Sequence, residues 1–92
     1  MNHAEVRGLF ALAGHQSIKC SIIENPLDGE EEESPLSKTW WKAETDHGIF
    51  LTGWIRREGV DYHVIIVNEG EIETRYIGTG YRQSLETLSN MK

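Results

Sequence analysis

Four alternating segments joined by glycine-containing turns dominate the second half of this chain and constrain its fold most strongly. The alternation of apolar and polar residues predicts strands over 38–45, 49–57, 60–67 and 71–77. Each joint is short and contains a glycine, which adopts the positive φ of a tight reversal without steric cost. The joints are Asp46-His47-Gly48, Arg57-Glu58-Gly59 and Asn68-Glu69-Gly70. The pattern predicts an antiparallel meander.

A helix and one further strand are predicted ahead of this meander, and a short helix after it. Asn2 has the form of a helix cap, and apolar residues then repeat at helical spacing over 3–13. Alternation over 17–23 predicts a half-buried strand, and the apolar spacing after Gly80 predicts a C-terminal helix. With 92 residues and 38% apolar content, the chain can enclose one modest core. We therefore predict a single α+β domain over 1–92, with an N-terminal amphipathic helix and about five mostly antiparallel strands.

Alternation also predicts which side chains share a face of the sheet. We expect one face to be covered by the N-terminal helix and to hold Trp41, Ala43, Ile49, Leu51 and Ile55. The other face mixes aromatic and charged residues, so we expect it to be only partly covered. Its members are Trp40, Lys42, Glu44, Phe50, Thr52, Trp54 and Arg56. The strand at 60–67 is apolar on both sides, which is typical of a central strand.

The negative charge of the chain is confined to one segment. Fifteen acidic residues against nine Lys and Arg give a net charge of -6. Six of the acidic residues lie between Glu24 and Glu33, and the other nine match the nine basic residues. Both prolines lie within 25–37, a segment with too little apolar content to offset the entropy of ordering it. We predict a mobile acidic loop over 25–37 that can steer the chain towards a basic partner.

No residue set in the sequence has the spacing of a catalytic or metal site. No two of the four histidines are spaced as metal ligands on one element; they are His3, His15, His47 and His63. Cys20 is the only cysteine, and a buried small side chain explains it better than a nucleophile. Glu71 and Glu73 are expected to be solvated on an edge-like strand. We predict no enzymatic activity, no metal, no cofactor and no membrane partner, and a cytoplasmic location because no disulfide is possible.

The candidate partner-binding residues combine the acidic run with the aromatic face. They are Glu30, Glu31, Glu32, Glu33, Trp40, Lys42, Trp54 and Arg56. The acidic run is either a solvated linker or a docking arm that presents charge to basic grooves. The aromatic and basic residues have three interpretations: a platform on which the bases of a single-stranded nucleic acid stack, a protein-binding hot spot, or a second small core under the C-terminal helix.

In general character the chain resembles the small inhibitors encoded by bacteriophages, and anti-CRISPR proteins in particular. The shared features are the short acidic chain, the amphipathic first helix and the glycine-turned meander from Thr39 to Tyr76. No motif is shared, so the resemblance transfers no residue by position. It implies a noncatalytic inhibitor in the host cytoplasm that binds a protein or ribonucleoprotein with a basic surface, such as a CRISPR effector complex, and blocks its access to target DNA. Acidic immunity proteins that bind nucleases have similar size and charge, and a single-stranded nucleic-acid-binding module is a further alternative.

Overall fold

The computed structural model describes residues 1–27 and 32–91 and confirms the predicted α+β class. Its elements in chain order are α1 (His3–Leu12), β1 (Lys19–Ile23), β2 (Glu32–Glu33), β3 (Trp40–Thr45), β4 (Gly48–Arg57), β5 (Val60–Glu69), β6 (Ile72–Gly78) and α2 (Tyr81–Ser89). Neither helix in these residues has the length and apolar content to cross a membrane.

Helix α1 begins at the cap that the sequence predicts. The side-chain oxygen of Asn2 accepts a hydrogen bond of 2.9 Å from the backbone N–H of Glu5, one of the donors that a helix start leaves without a partner. The helix ends just before Gly14, whose φ of 92° lies in the left-handed region. Its buried side chains are Val6, Leu9 and Phe10. The predicted helix over 3–13 is confirmed to within one residue.

All the strands pair antiparallel in one sheet, in the order β1-β3-β4-β5-β6. The two-residue strand β2 joins β4 beyond the stretch that pairs with β3, where Glu32 lies opposite Arg56. Two hairpins turn on positive φ: Glu58 (50°) and Gly59 (78°) form one turn, and Gly70 (66°) opens the other. The predicted meander is confirmed, and β2 is an addition too short for alternation to predict.

The predicted assignment of β4 to the faces of the sheet is wrong. The turn between β3 and β4 consists of Asp46 and His47 only, so Thr45 pairs with Gly48. Every odd-numbered residue of β3 therefore lies opposite an even-numbered residue of β4, and opposite residues share a face. The helix side holds Trp41, Ala43, Phe50, Thr52 and Trp54, whereas Ile49, Leu51 and Ile55 lie on the other face with Trp40.

The two helices cover one face of the sheet and form the larger core. Helix α1 packs over β1 and β3, and α2 packs over β5 and β6. The buried residues of this core are Val6, Leu9, Phe10, Ala13, Ile18, Trp41, Ala43, Phe50, Ile65 and Leu88. The apolar stripe of α1 therefore meets the sheet as its spacing predicts.

The segment between β1 and β3 covers the other face, which corrects the prediction of a partly open surface. The buried residues there are Leu27, Trp40, Ile55, Val64 and Ile66. Trp40 is 1% exposed, so this face is not the partly open surface that the sequence indicated. The described part of the predicted loop over 25–37 also packs on the sheet, because Leu27 and Ser34 are buried. Residues 28–31 of that prediction lie outside the described residues.

Two glycines provide a matched test of this packing. The indole of Trp40 lies directly over Gly53, so a Cβ at Gly53 would clash with the ring, whereas a Cβ at Gly8 of α1 meets nothing within 4 Å. We expect Gly53→Ala to destabilise the protein by about 1–3 kcal/mol through overpacking. We expect Gly8→Ala to stabilise it by about 1 kcal/mol, the difference in helix propensity. Thermal unfolding followed by circular dichroism measures both, at about 4–8 °C per kcal/mol in a domain of this size.

The double variant Gly53→Ala with Trp40→Leu provides the control, because the smaller side chain leaves room for the new methyl group. Each substitution should lower the free energy of unfolding by less in the presence of the other than it does alone. Additive losses would show that the indole does not press on Gly53.

Candidate functional site

The predicted aromatic platform does not form, because Trp40 and Trp54 lie on opposite faces of the sheet and both are buried. Trp40 is 1% exposed and Trp54 is 6% exposed. The ring of Trp54 lies on the helix side against His63 and Tyr81, at centroid distances of 5.1 and 5.5 Å. Neither indole offers a free face for a stacked base or a partner side chain. Trp54 lies under the C-terminal helix, as the second-core interpretation expects, whereas Trp40 is covered by the segment between β1 and β3.

The two predicted basic residues, Lys42 and Arg56, are each paired with a carboxylate. The Nζ of Lys42 lies 3.4 Å from Glu44. The guanidinium of Arg56 donates to both oxygens of Asp61 at 3.1 Å, and the hydroxyl of Ser34 also donates to this carboxylate. The hydrogen bonds from Arg56, and then from Ser34, lower the pKa of Asp61 below its ordinary value. This cluster fastens the segment after β2 to the β4–β5 hairpin.

The predicted acidic run falls only partly within the described residues. Glu30 and Glu31 lie outside them, and Glu32 and Glu33 form β2. The backbone of β2 pairs with β4, and the side chain of Glu32 is exposed. The end of the run is thus anchored to the sheet, and its role in partner binding stays a prediction.

A groove of about 490 Å³ lies between β6 and α2, away from the predicted binding residues. One wall is the strand from Arg75 to Gly78, and the buried side chains of Ile65 and Ser84 lie at the base. The other wall is a polar stripe of α2 at helical spacing, formed by Gln83, Glu86, Thr87 and Asn90. The groove therefore runs along the edge of the sheet, between a strand and a helix.

Strand β6 is the last strand of the sheet, and its side chains are largely exposed. Ile72 is 69% exposed, Tyr76 is 40% exposed and Ile77 is 39% exposed. Within the described residues, β6 pairs with β5 on one side and with no strand on the other. A sheet edge of this kind presents a row of backbone donors and acceptors to another chain.

The hairpin that joins β5 to β6 determines which residues present these groups. Glu69 pairs with Ile72 across a two-residue turn, and such a turn closes with a hydrogen bond between its first and last residues. Pairs along an antiparallel ladder then alternate between bonded and non-bonded. The residues whose N–H and C=O point away from β5 are therefore Glu73, Arg75 and Ile77. Their outward backbone groups lie beside the groove.

A buried polar chain links α2 to the centre of the sheet, and sequence reasoning did not predict it. Thr52 donates its hydroxyl hydrogen to the backbone oxygen of Val64 at 2.9 Å, so it accepts from Nε2–H of His63 at 2.9 Å. The Nδ1 of His63 then accepts from the hydroxyl of Ser84 at 2.5 Å. His63 is fully buried, and this desolvation lowers its pKa to about 4. The imidazole is thus neutral near pH 7, with both ring nitrogens satisfied.

A second histidine fastens the far end of α2. The Nε2 of His15 lies 2.9 Å from the backbone oxygen of Leu88, and its Nδ1 lies 3.1 Å from the hydroxyl of Thr45. His15 is 3% exposed, so two of the four histidines are buried structural groups and not surface residues.

A second, more apolar groove of about 430 Å³ separates the two helices. It is lined by Gly8, Leu9, Leu12 and Leu85, with Glu5, Tyr81 and Arg82 at its rim. The hydroxyl of Tyr81 donates to Glu5 at 3.2 Å and joins the helices at one end. Leu12 is 80% exposed on this surface.

The remaining reactive groups have structural explanations. Cys20 lies on the helix side of β1 against the larger core, and burial raises the pKa of its thiol, the opposite of what activates a nucleophile. Across residues 1–27 and 32–91, no cluster of three or more His, Cys, Asp or Glu side chains could hold a metal ion.

The groove beside β6 was absent from the sequence-based site. The only signal was the pair Glu71 and Glu73, which marked this strand as edge-like. The polar stripe on α2 cannot be told from an ordinary solvated helix face without the strand beside it. Comparisons with protein-family models, curated proteins and solved structures found no match to this chain.

The burial of His63 predicts a specific loss of stability in acid. Its pKa is about 4 in the folded protein and about 6.5 in an unfolded chain, so the unfolded state binds the additional proton between these values. Stability should therefore be complete above pH 6.5 and should fall by about 3 kcal/mol as the pH drops to about 4. Denaturant unfolding across this range measures the loss.

Two variants separate this histidine from the other titrating groups. The conservative change His63→Gln should flatten the acid limb, whereas His3→Gln, at an exposed position, should leave it unchanged. An NMR titration of the native imidazole gives an independent reading. Protonation of His63 near pH 6.5 in the folded protein would contradict the buried network.

Proposed function

We propose that this chain is a noncatalytic protein-binding domain that takes up an extended segment of its partner as an added strand beside β6. The observation that supports the proposal is the open edge of β6 next to the groove of α2. Strand addition at a sheet edge is a recurring mode of peptide recognition, in which main-chain hydrogen bonds give affinity and side-chain pockets give specificity.

The backbone of β6 supplies the affinity in this proposal. The residues Glu73 and Ile77 each present one outward donor and one outward acceptor. Each hydrogen bond made by an incoming strand contributes about 0.5–1.5 kcal/mol net of water, before the cost of ordering the segment. A segment that matches the full edge can therefore bind although few side chains take part.

The groove supplies the specificity. Side chains of an added strand alternate between the two faces, so every second one points towards α2 and the groove. There they meet the polar stripe of the helix and the ring of Tyr76, which shares this face because it pairs with Ile65. A groove with one polar wall favours particular side chains at alternate positions.

The chemistry of the buried network favours binding over catalysis. Ser84 and His63 are adjacent, but Ser84 is only 4% exposed and the pKa of His63 is about 4. An imidazole with so low a pKa is a weak general base near pH 7, and the general base of an acyl-transfer enzyme works best near the operating pH. We propose that the pair positions α2 and performs no reaction.

The inhibitor form of the proposal rests on the resemblance to anti-CRISPR proteins. In this form the captured segment belongs to a CRISPR effector complex, and occupation of that segment blocks the access of the complex to target DNA. The acidic segment ahead of β3 supports the approach to a basic surface, because opposite charge accelerates encounter.

Blocking the β6 edge should abolish strand addition. In Ile77→Pro the outward N–H is lost while the bonds to β5 stay, and proline is tolerated on an edge in this orientation. Peptides of about ten residues selected from a displayed random library should bind the native chain, and Ile77→Pro should weaken them by about tenfold or more. Ile77→Val keeps the N–H and the branched side chain, so its affinity should stay within about twofold.

Fluorescence anisotropy with the selected peptides measures these affinities, and circular dichroism checks that both variants fold. Amide hydrogen exchange on the native chain adds a test without mutation, because the bound peptide should slow the exchange of the amide hydrogens of Glu73 and Ile77. A selection that yields only peptides insensitive to Ile77→Pro, or no peptide at all, would contradict strand addition.

The inhibitor form predicts a cellular effect. Expression of the chain in bacteria whose CRISPR system attacks a plasmid should restore uptake of that plasmid towards the level of an untargeted one. Ile77→Pro should lose the effect and Ile77→Val should keep it, at equal protein levels. Uptake that stays low in strains carrying each main type of effector complex would refute this form and leave peptide binding intact.

A further inference from the structure

We infer that the segment which adds to β6 is basic, with Lys or Arg at alternate positions. The inference rests on the proposed strand addition and specifies the chemistry of the partner.

Acidic side chains outnumber basic ones along the edge and the groove. The strand and its hairpin carry Glu69, Glu71, Glu73 and Arg75, and the helix wall adds Glu86. Among the described residues, four carboxylates and one guanidinium leave a formal charge of -3 on this surface. Arg82, the one basic residue of α2, lies at the groove between the helices. A segment of opposite charge is therefore favoured in both encounter and binding.

The single cation of the edge is already engaged. The Nε of Arg75 donates to Glu73 at 2.9 Å, on the face away from the helices. Glu86 lies across the groove, on the face that receives every second side chain of an added strand. A Lys or Arg at such a position can extend along the groove towards Glu86, while its aliphatic stem packs beside Tyr76.

The length of the edge sets the length of the segment. Strand β6 has seven residues and so spans about 23 Å. A matching segment of about seven residues places three or four side chains on the groove face. The segment is thus a short extended stretch with alternating basic residues, and not a helix or a long basic tail.

Two other kinds of strand could occupy the β6 edge, and each would give a different experimental result. A neutral or apolar strand would use the same backbone groups but would ignore Glu86. A second copy of this chain could pair edge to edge, and sedimentation of the chain alone at micromolar concentration would then show a dimer that Ile77→Pro dissolves. We expect a monomer, because pairing two copies brings together two surfaces of like charge.

The test uses the displayed random library on the native chain. We expect the selected peptides to be enriched in Lys and Arg at every second position. One selected peptide is then synthesised in two forms, one with its groove-facing basic residue and one with Gln at that position. Both peptides are titrated against the native chain and against two variants. Glu86→Gln removes the groove charge, and Glu24→Gln removes an exposed charge next to β1 at the opposite edge.

The native chain should bind the basic peptide about two- to fivefold more tightly than its Gln analogue, the size of an exposed ion pair. Glu86→Gln should remove this preference, and Glu24→Gln should preserve it. The preference should also shrink between about 50 mM and about 300 mM salt, because screening shortens the reach of exposed charges.

Failure of this inference can be distinguished from failure of the proposed function. Neutral or acidic peptides that are blocked by Ile77→Pro would overturn the basic segment and leave strand addition in place. A preference for basic peptides that survives Glu86→Gln would overturn the role of the groove charge. Peptides that ignore Ile77→Pro would overturn both.

Discussion

The central strands β4 and β5 carry large apolar side chains on both faces. Both faces of the sheet must therefore be covered by other parts of the chain. Phe50 and Ile65 face the helices, whereas Ile55 and Val64 face the segment between β1 and β3. The helix side is covered by two helices of ten and nine residues, one over β1 and β3 and the other over β5 and β6. The other side is covered by the described part of the segment between β1 and β3, in which Leu27 packs into the core formed with Ile55 and Val64. Strand β6 lies at the edge of the sheet, where α2 packs over it but six of its seven residues remain exposed.

The position of α2 depends on two buried histidines, and the groove depends on α2. His63 holds Ser84 near the start of the helix, and His15 holds the carbonyl of Leu88 near its end. These bonds fix the inward face of the helix on the sheet, and the polar stripe along the groove is fixed with it. A wall held at both ends needs little reordering when a segment binds, which reduces the entropic cost of association. In the proposed function, burial of these imidazoles would support recognition without their touching a partner.

The secondary structure could be predicted from sequence because its determinants are local, whereas the packing could not. Asn2 and the glycine turns mark their own boundaries, and apolar spacing identifies the strands. The faces of β4 depend on the number of residues in its turn with β3, so counting Asp46 and His47 as the whole turn would have placed Phe50 correctly. Leu27 is a single apolar residue in an acidic, proline-containing segment, and periodicity gives no signal for it.

The candidate site was harder to predict from the sequence than the packing, because its parts are distant in sequence. Ser84 and His63 are 21 residues apart and share no motif, and the groove needs a strand and a helix to be placed side by side.

An open strand edge is a hazard as well as a binding site, and the charges on β6 bear on both. The six exposed residues of β6, which include Ile72 and Ile77, would invite pairing with any extended chain, including a second copy. Glu71 and Glu73 at the hairpin, with Glu86 across the groove, make pairing between copies unfavourable because each copy brings the same negative surface. The same carboxylates attract a segment of opposite charge. One set of side chains can therefore exclude the commonest wrong partner, the chain itself, and select the right one, since specificity is a difference between two affinities.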